Sequence, residues 1–406
     1  MKHVLLIIGL CLATTAAFAQ KAAVSGAEKM AKDQRSNLNE ARNLIKGAMS
    51  HADTKDDPKT WNVAGLVEDA LFNRENTKQM LGQEYDASVM YQALENELPL
   101  FLKAYELDQR PNARGRVTPK FTKNIKGVIS SNHIYYINGG SHYLDENNYQ
   151  KAYDFFEQYL EIANLPFFEG ERTAERDENY MMVQFFSGAI ATMLNNTELA
   201  LSALNRAKDT PYRQYDVYNY IINEYQQLED SVNVEKTLEE GMKIFPDSSF
   251  FMYNLINIYI YSDRNEQAVN LLTTAIAQNP TDPQLFHALG NVYESGYEDF
   301  IKAEENYKKS LDLNPENSSS LSNLGRIYYN QGIIKLNDAN EINDVQEYNA
   351  IKEVAFELFR KGLPFFEKAH QIDPDDYDAM VALRGIYYQL SMNEKFNEIE
   401  AKMESR

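Results

Sequence analysis

Apolar and small side chains return along this chain at an interval of 34 residues. Ile222, Ile256 and Gly290 keep that spacing, as do Tyr225, Tyr259 and Tyr293. Pro246 and Pro280 are also 34 apart, and Pro315 follows after 35. Within the period from Ser249 to Asp282, Leu255 and Tyr259 stand one helical turn apart, and Ala268, Leu272 and Ala275 follow before Pro280. The next period carries Phe286, Leu289, Gly290, Tyr293, Ala303, Tyr307, Ser310 and Pro315. Apolar residues at intervals of three and four mark one face of a helix. The pattern therefore predicts two helices per period. The proline ends the second, because it cannot continue a helix, and starts the next turn.

These positions resemble the tetratricopeptide repeat, a helix–turn–helix unit of 34 residues. In it an aromatic, a Leu-Gly pair and a Tyr face the second helix from the first, and the glycine or alanine lets the two helices approach closely. Further units fit along the chain. His133 to Pro166 carries Tyr136, Gly139, Gly140, Tyr143, Ala152, Phe156 and Tyr159. Met181 to Gln214 carries Gly188, Ala191, Ala200, Leu204 and Ala207, and Tyr215 to Ser248 carries Tyr218, Ile221, Tyr225, Leu238 and Pro246. Two units are expanded. Trp61 and Gly65 open one that closes only at Leu98-Pro99-Leu100-Phe101-Leu102-Lys103-Ala104. Leu321, Leu324, Gly325 and Tyr328 open the other, which closes at Leu363-Pro364-Phe365-Phe366-Glu367-Lys368-Ala369. In each, the proline kinks an elongated helix or starts the second helix afresh. Asp338 to Asp344 reads as the loop opening an insertion of about 25 residues in the second expanded unit.

The expected fold is all-α: an α-solenoid of about eight such repeats, two of them expanded, built by stacking neighbours over one continuous core. The expected division is a leader at 1–19, a helical cap at 20–57, and an expanded repeat with a basic linker at 58–132. Regular repeats follow at 133–317, an expanded repeat with an insertion at 318–376, and a terminal repeat at 377–406.

Composition agrees with helices. The 406 residues include only 12 prolines and 18 glycines beside 27 tyrosines and 20 phenylalanines, which disfavours strand-rich folds with many turns. Lys2, the apolar run Val4 to Ala13 and the small-residue exit Ala17-Phe18-Ala19 read as a secretory leader too short to span a bilayer. Leu10 before Cys11 departs from a lipidation site. Removal of the leader takes away the one cysteine, and with it any thiol chemistry. The expected location is the periplasm, with outer-membrane association or the extracellular space as alternatives. Exported, cysteine-poor repeat proteins of this build resemble those of Bacteroidota-type bacteria. The net charge of −20 argues against a nucleic-acid partner, which needs a basic face.

The resemblance implies that partners bind along a concave groove lined by the first helix of each repeat. Asn223, Asn257 and Asn291 follow each other at 34 on that face, and Arg326 extends the row. Side-chain amides both donate and accept, so such a row suits an extended peptide backbone. The row four positions earlier holds Asn219, Tyr253, His287 and Ser322. A second candidate surface is the acid-free stretch from Gln109 to Leu144, with Arg110, Arg114, Arg116, Lys120, Lys123 and Lys126. Such a basic run can recruit an anionic partner or pair with neighbouring acids.

Catalytic signatures are missing. There is no glycine-rich phosphate loop, no H-E-x-x-H, no G-x-S-x-G and no Cys/His cluster. His133 and His142 are nine residues apart, on opposite sides of a helix, so they form no ligand pair. No cofactor, metal or catalytic residue is expected. The sequence points to a non-enzymatic scaffold or adaptor of the cell envelope that binds a protein or extended peptide. A glycan-binding component of an outer-membrane uptake system is the alternative.

Overall fold

A computed structural model describes residues 19–33 and 35–404. The leader expected over 1–19 lies, but for its last residue, outside them. Every regular element among the described residues is helical. The chain is all-α and of solenoid type, made of helix hairpins that pack on their sequence neighbours.

Its contacts divide it into two units, Met1–Thr237 and Leu238–Arg406. The first begins with α1 (residues 19–32) and α2 (Leu38–Ser50). Four hairpins follow: α3 (Pro58–Met80) with α4 (Ala87–Asp108), α5 (Thr122–Asp145) with α6 (Tyr149–Ala163), α7 (Glu178–Met193) with α8 (Thr197–Ala207), and α9 (Gln214–Gln227) leading into α10 (Ser231–Ile244), within which the division falls. The second unit holds α11 (Ser249–Tyr261) with α12 (Asn265–Gln278), and α13 (Pro283–Asn291) with α14 (Phe300–Leu313). Its last hairpins are α15 (Ser318–Asn340) with α16 (Val345–Ile372), and α17 (Tyr377–Gln389) with α18 (Asn393–Glu404).

Local chemistry starts and stops these helices. Asp or Asn side chains accept the free N–H groups of the first turn at Asn37, Asp57, Asp86, Asn148, Asp177, Asn196, Asp282, Asp299, Asn317, Asp344 and Asp376. Seven of the turns within hairpins reverse at a residue with positive φ: Gly82, Asn147, Asn195, Glu229, Asp263, Glu298 and Ser391. Glu229 and Asp263 are 34 apart and Glu298 follows after 35, so the turns keep the period of the helices.

Hairpin closure rests on a glycine facing a large side chain. A Cβ on Gly65 would lie 2.6 Å from the Phe101 ring, and one on Gly325 would lie 2.8 Å from Phe366. Gly188 faces Leu204 and Gly290 faces Tyr307 in the same way. Phe101 and Phe366 each stand two residues after the proline of the matching Leu-Pro motifs, so the two expanded units share one socket. Pro99 and Pro364 lie inside continuous helices and start no new ones.

The expected insertion needs correction. Asp338 lies within α15, and the loop is only 341–344. The extra residues lengthen α15 to 23 residues and α16 to 28. Gly332 then faces Phe359 one step further out, repeating the glycine socket.

The odd spacing of 35 also has a structural cause. α13 runs into a π-helical turn, Val292–Gly296, which absorbs one extra residue. Asn265 at the start of α12 donates to the Gly296 carbonyl at 2.7 Å and holds that turn.

A recess between the first helices of two repeats

α11 and α13 are first helices of successive repeats, and a recess of about 260 Å³ lies between them. Tyr253, Ile256, Asn257 and Ile260 line it from α11; Gln284, His287, Ala288 and Asn291 line it from α13. Four of the eight residues expected in the groove thus meet at one place. Their register explains it, because positions 34 apart on equivalent helices share a face. Asn257 is exposed at the rim and the Tyr253 ring is half-buried. Burial, with the charge of Asp282, pushes the Tyr253 hydroxyl up to about 12, so it stays a neutral donor.

Asn291 and His287 belong to a polar chain beneath the recess. Arg326, which only donates, gives a hydrogen bond to Asn323 Oδ1 at 3.2 Å. That leaves Asn323 Nδ2 to donate to Asn291 Oδ1 at 2.8 Å. Asn291 Nδ2 then donates to His287 Nε2 at 3.2 Å. His287 accordingly carries its proton on Nδ1 and donates to Ser320 Oγ at 2.9 Å, and Ser320 donates to Ser310. Burial lowers the His287 pKa, which keeps the ring neutral in this role. Tyr307 contributes its hydroxyl at 2.6 Å from both Asn291 Oδ1 and Glu294 Oε2. The π-helical turn places Glu294 inside, where Arg326 pairs with it at 3.0 Å. Of the amide row, Asn291 is therefore engaged within the protein, while the Asn257 side chain makes no hydrogen bond among the described residues.

The other expected residues are distributed as follows. Asn219 and Asn223 stand on α9 of the first unit; Asn219 is half-buried with an unpartnered Oδ1, and Asn223 is exposed. Ser322 donates to Asp376 at 3.2 Å. His133 and His142 serve separate packing roles: His133 stacks on Tyr159, and His142 on Tyr91. In the basic stretch, Arg110 pairs with Glu106 at 2.8 Å and approaches Asp56 at 3.8 Å, while Lys126 pairs with Glu171. Arg114, Arg116, Lys120 and Lys123 are exposed.

Sequence reading missed Asn323, Glu294 and Ser320, since their partners Asn291, Tyr307 and His287 stand 13 to 33 residues away and leave no local signature. It also missed a buried cluster in the first unit. Asn132 of α5 offers one side-chain N to Asp69 Oδ1 at 2.9 Å and to both Glu97 oxygens at 3.0 and 3.1 Å.

Among the described residues no group of His, Cys, Asp and Glu is arranged to hold a metal ion, and no helix is long and apolar enough to cross a membrane. No protein-family model matches the chain, and no curated protein matches it. Several solved structures are similar to it at low identity. A TPR-repeat protein from Bacteroides fragilis NCTC 9343 is 19% identical, with 63% of this chain and 98% of that one covered and a TM-score of 0.33. YrrB, described as a TPR protein with an unusual peptide-binding site, is 17% identical over 50% of this chain and 95% of its own, with a TM-score of 0.32. MamA from Desulfovibrio magneticus RS-1 is 17% identical over 46% and 95%, with a TM-score of 0.32.

Proposed function

We propose that the chain is a non-enzymatic tetratricopeptide-type scaffold of the cell envelope, which holds an extended segment of a partner protein against α11 and α13. The observation that carries this reading is the recess itself. It combines apolar walls (Ile256, Ile260 and Ala288) with an unengaged amide at Asn257 and a neutral hydroxyl at Tyr253. Such a mixture fits an extended peptide: the walls take a side chain, and the amide pairs with the backbone N–H and C=O beside it. The chain from Arg326 to Ser310 fixes α13 against α14 and α15, so the α13 wall of the recess is preformed. Preformed sites lose less entropy on binding. The leader pattern at 1–19 supports an envelope location.

The two asparagines separate binding from stability. Asn257→Ala removes an exposed amide and should leave stability within about 0.5 kcal/mol of wild type. Asn291→Ala leaves His287 Nε2 without its donor and takes one of their partners from the Tyr307 hydroxyl and the Asn323 amide. It should cost about 1–3 kcal/mol in urea denaturation, the range for buried polar groups left unsatisfied. Random peptides displayed and selected on the wild-type protein supply the ligand. Tyr253→Ala/Asn257→Ala should weaken the selected peptides about tenfold. If the double variant keeps full affinity for every selected peptide, the recess is not the binding site.

A further inference from the structure

The basic stretch of the first unit forms an ordered projection. Asn112 accepts the backbone N–H of Arg114 and of Arg116 through its side chain, at 2.9 and 3.2 Å, and its own N–H reaches the Arg116 carbonyl at 2.9 Å. Gly115 takes φ +71° at the tip, a conformation that suits glycine. At the base, Asp108 accepts the N–H groups of Lys120, Phe121 and Thr122 at 2.8–2.9 Å. Burial pushes Asp108 up, but these donors outweigh it and hold the carboxyl below its ordinary range. The segment from 109 to 122 is therefore fixed at both ends.

Its charges are not consumed internally. Arg110 and Lys126, at the two margins, take the acids within reach. Arg114, Arg116, Lys120 and Lys123 make no ion pair among the described residues, in a chain where 60 acids face 40 bases. Lys120 and Lys123 also border a cavity of about 730 Å³, whose walls include the Asn73, Asn124 and Asn132 amides and the Ser131 hydroxyl. Asp69 is its one acid. Burial raises the Asp69 pKa and the Asn132 and Asn73 amides lower it less, so the net shift weakens the negative charge it would oppose to a ligand.

We infer that Arg114, Arg116, Lys120 and Lys123, with the amide-lined cavity beside them, form a docking surface for an acidic segment of a partner protein. Carboxylates meet the four cations, and the Asn124 amide beside them pairs with the segment's backbone; the Asn73 and Asn132 amide hydrogens stay on Asp69 and Glu97. Other polyanions fit less well. A lipid surface calls for apolar side chains that insert, and of the large apolar side chains between 109 and 120 only Val117 is exposed. Single-stranded nucleic acid calls for aromatic platforms between the cations, and the one aromatic from 114 to 123, Phe121, is half-buried against the core. This surface lies in the first unit and the recess in the second, so either stands without the other.

The test uses a fluorescent glutamate-rich peptide, phosphatidylglycerol vesicles and a single-stranded oligonucleotide as probes. Arg114→Ala/Arg116→Ala/Lys120→Ala/Lys123→Ala should weaken the peptide about tenfold or more, and added salt should abolish wild-type binding. All four side chains are exposed, so the fold is retained, which the melting temperature checks. A charge-matched control, Lys309→Ala/Lys335→Ala/Lys361→Ala/Lys368→Ala, should bind like wild type. Equal loss in the control, no loss in the quadruple variant, or tighter binding of vesicles or oligonucleotide than of peptide would overturn the assignment.

Discussion

Phe101→Ala should cost the first unit about 3–5 kcal/mol, and Phe366→Ala should do the same to the second. Both rings are buried in the core, at 0% and 3% exposure. Each fills a socket that its glycine leaves open, so truncation removes contacts from both helices of an expanded hairpin at once. The glycine side is testable from the other direction. Gly65→Ala should destabilise by about 1–3 kcal/mol, because the new methyl meets the Phe101 ring. Adding Phe101→Leu to Gly65→Ala should cost less than the sum of the single changes, since the smaller side chain vacates the methyl's place. The pair Gly325 and Phe366 should behave alike. Strict additivity in both cycles, measured by calorimetry, would show that the sockets do not set helix approach.

Glu97→Gln should stabilise the protein at neutral and alkaline pH by about 1–3 kcal/mol. Glu97 is wholly buried, and its two oxygens share with Asp69 the two hydrogens of one Asn132 amide. Asn73 also donates to Asp69 Oδ1, at 2.7 Å, so the two Glu97 oxygens have only the shared Asn132 amide, which favours a proton on Glu97. Burial, and then the charge of Asp69, push Glu97 well above the usual carboxylate range. Glu68 adds a smaller push in the same direction, and the Tyr136 hydroxyl is committed to the Leu94 carbonyl.

The sign follows from linkage. A carboxyl whose pKa is raised by folding binds its proton more tightly in the folded state. Its contribution is complete below the unfolded carboxylate pKa and is lost as pH rises through the folded one, by about 1.4 kcal/mol per pH unit in that window. Asp69 acts in the same direction. Wild type should therefore lose stability on the alkaline side, and Glu97→Gln should flatten that slope while changing little in acid. A parallel pH profile for the two proteins, or a less stable variant at high pH, would contradict the buried proton.

Helices, their pairing and the glycine sockets were legible because each rests on short-range periodicity. Gly65, Gly188, Gly290 and Gly325 carry that signal in their spacing from Tyr, Phe or Leu. The expanded hairpin was misread at its tip. Asn337, Asp338, Asn340, Glu341 and Asp344 look like a loop, yet Ile333, Leu336 and Ala339 continue the helical stripe of α15. Ile333 and Leu336 pack against the cluster that holds Ala355 and Phe359 of α16, beyond the reach of a local pattern.

Glu97 had a visible signal that repeat matching passes over. Within Leu94, Glu97, Leu98 and Phe101 it occupies the apolar stripe of α4, where a charge is anomalous. Its partners Asp69 and Asn132 are 28 and 35 residues away, so what relieves it is visible only in the fold. The recess is an intermediate case. The 34-residue register placed Tyr253, Asn257, His287 and Asn291 on one face. Which amides remain unengaged depends on Tyr307, Asn323 and Arg326, whose contacts form only when α13, α14 and α15 pack.

The claim that α11 and α13 hold a partner segment is tested most directly by the side-chain amide resonances of isotope-labelled protein during titration with a selected peptide. Asn257 should shift with the peptide, at a rate matching its affinity, while Asn291, held by His287, Tyr307 and Asn323, should stay in place. Peptide binding that leaves the Asn257 amide unmoved would contradict the account.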